Sequence, residues 1–208
     1  MTQARTRLAR RAVIDAARKL FAERGYGATT INAISELSGV PAATVYRLFA
    51  SKLGILKGLI DVSIVGDDDA VAMSDRAHVR SLLADPDPAV QLAGFVHLAA
   101  EINERTSAIY RTLVNAAATD PGAATLLQQL TLQRQEGQGR IARSLARANA
   151  LRPDLRQRDA ADIIHALMSP EVYGLLVVDR GWPVERYESW LTRTLVDQLL
   201  ASTQSDRE

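Results

Sequence analysis

Apolar residues recur three and four positions apart along this chain, the spacing of amphipathic helices. From about Thr6 to Arg24, Val13, Ile14, Ala17, Leu20 and Phe21 form one stripe, and Arg7, Arg10, Arg11 and Arg18 fall largely outside it. Gly25-Tyr26-Gly27 ends that helix. Two short periodic runs follow, Ile31 to Ser38 and Ala42 to Phe49, separated by Gly39-Val40-Pro41. Gly39 supplies the positive φ that a sharp helix exit needs. Pro41, with φ preset and no N–H, fits the first turn of the next helix. Short helix, tight turn and short helix predict a helix-turn-helix unit. Ile34, Val40, Val45 and Leu48 take its inner face, while Ala42, Ala43, Thr44, Tyr46 and Arg47 point outward. Small residues, a hydroxyl, a phenol and a guanidinium suit a DNA groove.

The pattern continues to the C-terminal end. Ser51 caps a fourth helix carrying Ile55, Leu56, Leu59, Ile60 and Ile64. It should end near Gly66 or run on into Asp67-Asp68-Asp69 and the Ala-Val-Ala-Met that follows. Asp87 and Pro88 form a cap-then-proline start signal. The stretch from Pro88 to about Ala118 reads as two helices with a seam near Thr106-Ser107. Asp120-Pro121 repeats the start signal, and a helix runs to about Asn149 with Leu126, Leu127, Leu130, Ile141 and Leu145 inward and Gly137 and Gly139 weakening it. Arg152-Pro153-Asp154 breaks the chain. A helix from about Arg158 to Asp179 turns Ile163, Ile164, Leu167, Met168, Val172, Leu175 and Leu176 inward, kinked at Pro170. Gly181-Trp182-Pro183 makes the last turn. The final helix, about Val184 to Ala201, presents Tyr187, Trp190, Leu191, Leu195 and Leu199. The expected fold is all-α, with about nine helices. The three-helix unit with the helix-turn-helix occupies 1–52 and the fourth helix bridges to about 65. A second helical domain occupies 53–203, and residues 204–208 form a frayed tail.

Charge changes this picture more than composition does. Residues 1–52 hold nine basic and three acidic side chains, a net +6, and the remaining 156 hold 16 and 21, a net −5. The basic end coincides with the helix-turn-helix, and phosphate affinity comes mainly from such charge. The chain has no cysteine, which rules out disulfides and thiol catalysis and suits a reducing cytoplasm. No run of about 18 apolar residues occurs, so no membrane span is expected. The basic N-terminal stretch lacks the apolar region and cleavage site of a secretion signal.

The first 60 positions resemble the N-terminal domain of the TetR (tetracycline repressor) family of bacterial transcriptional regulators. The likeness rests on Ala16-Ala17, Leu20-Phe21, Gly25-Tyr26, Thr29-Thr30, Ile34, Gly39-Val40, Thr44-Val45-Tyr46, Phe49, Ser51-Lys52 and Leu56. Leu48 stands where a histidine is common and Leu53 where an acid is common, and both make the local surface more apolar. The resemblance implies a homodimer on a palindromic DNA operator, most often repressing and released by a small molecule. By motif position, Thr30, Tyr46 and Lys52 look like phosphate contacts, with Ser51 in the same DNA-binding set. Ala42, Ala43 and Thr44 look like base-side residues, with Arg47 meeting phosphate or a base edge.

An effector pocket is expected among Phe95, His97, Leu98, Ile109, Tyr110, Leu113, Leu126, Leu130, His165, Met168 and Tyr173, for a hydrophobic or aromatic ligand. A dimer face is expected on Ile164, Met168, Val172, Leu175, Leu176, Tyr187, Trp190, Leu191 and Leu195. His97 and Glu101 lie four apart, as metal ligands do, but a surface pair is the simpler reading, and no metal or cofactor is expected. There is no phosphate loop, nucleophile elbow or zinc spacing to support an enzyme. The other rival is a helical binding or scaffold protein that does not use its helix-turn-helix on DNA.

Overall fold

In the computed structural model, which describes residues 3–65 and 77–201, every regular element is helical apart from one isolated bridge between Leu151 and Leu200. The elements are α1 (Gln3–Ala28), α2 (Ile31–Ser38), α3 (Ala42–Phe49), α4 (Lys52–Val65), α5 (Ala77–Leu83), α6 (Pro88–Ala117), α7 (Pro121–Arg147) and α8 (Gln157–Leu167). A short α9 (Pro170–Tyr173) widens into a π-helical segment (Gly174–Asp179), and α10 (Val184–Leu199) follows. The expected end of the fourth helix at Gly66 or Asp67–Asp69, and the tail at 204–208, lie outside the described residues.

α1 leaves its helical path at Gly25, whose φ is 74° and ψ 170°. Thr29, nearly inaccessible, locks that exit by donating its hydroxyl to the carbonyls of Leu20 (3.2 Å) and Gly25 (2.8 Å). α2 and α3 span the two expected runs residue for residue, because their stop and start signals are local. The later start signals also act as expected. Asp87 accepts from Ala89 N–H at 2.8 Å at the head of α6. Asp120 accepts from Gly122 N–H at 2.8 Å at the head of α7.

Three expectations are corrected. Pro88–Ala117 is one continuous helix without a seam at Thr106-Ser107. Threonine and serine cost a helix only a few tenths of a kcal/mol, and Asn103 and Thr106 are buried, so packing holds that stretch helical. The expected kink at Pro170 is a full break. Ser169, forced out of the helical region by the proline after it, has ψ 151° and caps α9 through a hydroxyl bond from Val172 N–H at 3.2 Å. α5, placed in no helix by the sequence reading, buries Val79.

The chain divides into two packing units that are not consecutive blocks. Residues 3–65 pack with Arg105–Leu130, and 77–104 pack with 131–201. α6 and α7 therefore each contribute to both. The first unit's core is built on Val13, Ala17, Phe21, Ile34, Val45, Phe49, Ile55, Leu56 and Leu59, closed by Ile109, Leu113, Ala123 and Leu126. The second is built on Leu92, Phe95, Val96, Ile141, Leu145, Ile164, Met168, Tyr173, Tyr187, Leu191, Leu195 and Leu199. Backbone bonds from Arg152 N–H to the Leu199 carbonyl and from Ala201 N–H to the Ala150 carbonyl tie the end of α10 to the segment after α7.

Tyr187 carries a fully buried hydroxyl with no hydrogen-bond partner among the described residues, its ring edge-on to Tyr173 at 5.2 Å. An orphaned buried hydroxyl costs more than it returns. Tyr187→Phe is expected to raise stability by about 1 kcal/mol, read as a higher thermal midpoint, and a lower midpoint would mean that the hydroxyl is satisfied.

Candidate nucleic-acid interface

The exposed part of the helix-turn-helix begins at Thr30, which caps α2 by accepting from Ala33 N–H at 3.1 Å. Its hydroxyl proton is still available to an acceptor such as phosphate. The turn is laced by side chains. Ser35 donates to the Val40 carbonyl at 2.7 Å, and Ser38 accepts from Val40 N–H at 3.2 Å. Gly39 sits at φ 67°, the left-handed exit expected of it. Pro41 stands just before α3, and its carbonyl accepts from Thr44 and Val45 N–H.

α3 buries Val45 and Phe49 and half-buries Leu48. That orientation exposes Ala43, Tyr46 and Arg47, which lie three and four positions apart and share one helix face. Tyr46 is 53% exposed. Ala42 and Thr44 are half-buried at the edge of that stripe. Ser51 is exposed, and its hydroxyl caps α4 by accepting from Gly54 N–H at 3.0 Å.

Several basic residues of the N-terminal quarter are engaged within the first unit. Arg10 donates to the Leu48 carbonyl at 3.1 Å and lies over the Phe49 ring, so it caps the end of α3. Arg18 donates to Ser63 at 3.2 Å. Lys52 is turned inward. Its Nζ donates to the carbonyls of Tyr26 (2.6 Å) and Gly27 (3.4 Å) and sits over the Tyr26 ring at 4.2 Å. Two of its three protons are thus used on the end of α1, which leaves one for a phosphate. Arg5, Arg7, Arg11, Arg24 and Arg47 are exposed.

Tyr26 completes a polar cluster. Its hydroxyl donates to Asp120 Oδ2 at 3.1 Å. Burial, then the bond to Asp120 and its charge, push the phenol up to about 12. Burial draws the Lys52 ammonium below its ordinary value, and Asp120 opposes this. The N–H bond from Ala123, with help from Tyr26, Gly122 and Lys52, holds the Asp120 carboxyl below the usual range. A raised phenol contributes stability that is complete below the ordinary tyrosine value of about 10 and is lost as pH climbs toward 12. Wild-type protein should lose thermal stability across that window by more than a Tyr26→Phe variant does. Parallel midpoints would remove the assignment.

The eleven effector-pocket candidates divide between the units. Ile109, Leu113 and Leu126 are core of the first, with Leu130 packed against it and Tyr110 half-buried. Phe95, Met168 and Tyr173 are core of the second, with Leu98 packed against it. His97 is at the surface, 3.0 Å from Glu188 and 3.7 Å from Glu101, so its closest partner comes from α10. His165 is half-buried, with Nδ1 2.8 Å from Gln138 Oε1 and Nε2 3.4 Å from Arg134. Arg134 can only donate, so Nε2 is the acceptor and the proton rests on Nδ1. Burial and the guanidinium lower the His165 pKa accordingly. Arg134 and Gln138 were not singled out from the sequence, and Tyr26 and Asp120 were read only as helix boundary signals, since each matters through a partner at least 27 positions away.

Burial divides the dimer-face candidates. Ile164, Tyr187, Leu191 and Leu195 are wholly inaccessible, and Met168 nearly so, because they fill the protomer's own core. Val172, Leu176 and Trp190 are half-buried, while Leu175 is 56% exposed. Among the described residues no group of three or more His, Cys, Asp or Glu could hold a metal.

An all-helical chain whose outer helix-turn-helix face is mounted on a basic first helix has the architecture of a helix-turn-helix transcriptional regulator. Residues 13–59 match the family model described as bacterial regulatory proteins, tetR family. It is 30% identical over 79 residues to the HTH-type transcriptional regulator YvkB of Bacillus subtilis, covering 35% of this chain and 42% of that protein. It is 34% identical over 79 residues to the HTH-type transcriptional repressor ComR of Escherichia coli, covering 36% and 38%. The alignments thus span about two fifths of these curated relatives. The fold is shared more widely. A TetR-family structure from Rhodococcus superposes with TM-score 0.70 at 16% identity, covering 93% of this chain and 99% of that one. SmeT in complex with triclosan does so with TM-score 0.71 at 17%, covering 96% and 97%. A regulator from Saccharomonospora viridis in complex with choline does so with TM-score 0.69 at 19%, covering 93% and 98%. The family and these neighbours are transcriptional regulators, not enzymes.

Proposed function

We propose that the protein represses transcription by binding a palindromic DNA operator as a homodimer, and that a small hydrophobic or aromatic molecule releases it. The observation that carries this reading is the α3 stripe of Ala43, Tyr46 and Arg47, exposed on a helix whose opposite face is pinned by Val45 and Phe49. A short recognition helix reads only a few base pairs, so specificity requires two copies on a two-fold-related site. Thr30, Tyr46, Ser51 and the remaining Lys52 proton hold phosphate, and Ala42, Ala43, Thr44 and Arg47 face bases.

Dimerisation is supported by the segment Gln157–Asp179. It is long and apolar enough to cross a membrane, yet only 22% of its apolar window is buried in the protomer. The break at Ser169, and Ile164, Met168 and Tyr173 in the core, make it a packed helix pair that needs a further cover. A second copy supplies one, with Leu175, Val178 and the half-buried Trp190 in the contact. The effector reading is supported by the two ligand-bound neighbours, SmeT with triclosan and the Saccharomonospora viridis regulator with choline. Of the eleven candidates His97 is the weakest, being at the surface. Binding a chromosomal operator places the protein in the cytoplasm.

The test is selection of bound fragments from a random DNA pool. Enrichment of a palindrome gives function, symmetry and half-site spacing together. Failure to enrich any sequence would sink the reading in favour of a helical binding protein.

A further inference from the structure

The turn between α6 and α7 is fitted to the place where α1 ends and α4 begins. Asp120 caps α7 with Oδ1, accepting from Gly122 and Ala123 N–H, and takes the Tyr26 hydroxyl on Oδ2 at 3.1 Å. The Tyr26 ring and carbonyl in turn hold the Lys52 ammonium, the first residue of α4. The apolar side of the same contact is Leu53, one residue further on. It lies so close over Gly122 that a Cβ added there would press to 2.8 Å on its Cδ2.

From that contact to the recognition helix is a short, stiff path. Ala50 joins α3 to α4 in a left-handed conformation at φ 62°, closed by Ser51 N–H to the Phe49 carbonyl at 2.7 Å. Gly54 packs directly against that same carbonyl. Moving the start of α4 therefore moves the end of α3, with no flexible residue between to absorb the shift.

We propose that Asp120 and Tyr26 are positioning residues for DNA binding, which make the placement of α3 depend on the α6–α7 turn. The proposal rests on the reading that α3 binds DNA. Neither residue lies on the exposed α3 stripe. α6 and α7 both continue from this turn into the other packing unit, so a ligand that shifts either helix has a mechanical route to α3.

The test uses the full chain and the operator recovered from the random pool. Operator affinity, its salt dependence and the thermal midpoint are measured for wild type, Tyr26→Phe, Asp120→Ala, Asp120→Asn and the double variant Tyr26→Phe/Asp120→Ala. Tyr26→Phe keeps the ring under Lys52 and removes only the bond to Asp120. It is expected to weaken operator binding roughly five- to tenfold, with the salt slope unchanged and the protein folded. Asp120→Asn, whose one side-chain oxygen can still cap α7 while its NH2 donates to the Tyr26 oxygen, keeps a bond between the two side chains with its direction reversed and should bind nearly as wild type. The double variant should bind no worse than Asp120→Ala, since both changes break one link. Wild-type affinity in Tyr26→Phe overturns the proposal. So does a salt slope reduced by about one, which would make the Tyr26 hydroxyl a phosphate contact. A wild-type protein that binds no DNA overturns both this proposal and the reading beneath it.

Discussion

Gly54→Ala is expected to destabilise the first unit by about 3 kcal/mol, the upper range for overpacking, and to remove operator binding with it. A Cβ at residue 54 would land on the Phe49 carbonyl oxygen. That oxygen is not free to swing, because it accepts from Ser51 N–H at 2.7 Å. The neighbouring backbone is equally committed. Ala50 is already at a φ of 62°, Ser51 caps α4 through Gly54 N–H, and the Ser51 carbonyl accepts from Ile55 N–H. A clash with a flexible side-chain end relaxes cheaply, as at Gly122, but one between two bonded stretches of backbone does not. Thermal unfolding followed by far-ultraviolet circular dichroism should show the lowered midpoint. Both tryptophans, Trp182 and Trp190, lie in the second unit, so their fluorescence reports whether the loss stays local. A variant with an unchanged midpoint would show that the α3–α4 connection is looser than its geometry.

The second large effect is expected at Leu175→Glu. Leu175 is 56% exposed and Val178 is 44% exposed. If these residues meet their copies across a two-fold axis, one substitution places two unpaired carboxylates in a dry contact, each costing several kcal/mol. The dimer should dissociate to a folded monomer, seen by sedimentation velocity. Operator affinity should fall at least roughly a hundredfold, because the second recognition helix no longer binds as part of the same molecule. An unchanged sedimentation coefficient would place the interface elsewhere. Loss of operator binding from a variant that remains dimeric would place Leu175 in some other role.

Much of the fold was legible because its signals are local. Gly39-Val40-Pro41 stops one helix and starts another within three residues, and α2 and α3 end where that tripeptide requires. Asp87 and Asp120 cap the helices that follow them, as cap-then-proline pairs do. The errors fall where local signals are weak or compete. Thr106 and Ser107 read as a seam, yet burial of Thr106 carries α6 through. Pro170 read as a kink, yet it pushes Ser169 into an extended conformation in which that residue caps the next turn, so the helix broke. The basic stripe of α1 was legible as charge, but Arg10 and Arg18 turned out to hold carbonyl and hydroxyl partners 38 and 45 positions away.

The amino-acid order by itself determined most of the helices and turns, the basic N-terminal quarter and the family resemblance, since each depends on residues within a few positions of one another. Only the tertiary structure decided which of several plausible faces each helix spends on its own core. An amphipathic stripe does not say what covers it. So Ile164, Tyr187, Leu191 and Leu195 went inside while Leu175 stayed out, and His97 found Glu188. Lys52, a phosphate candidate by position, turned toward the carbonyls of Tyr26 and Gly27. Those outcomes depend on groups brought together from distant parts of the chain, where burial and hydrogen-bond satisfaction outweigh any local preference.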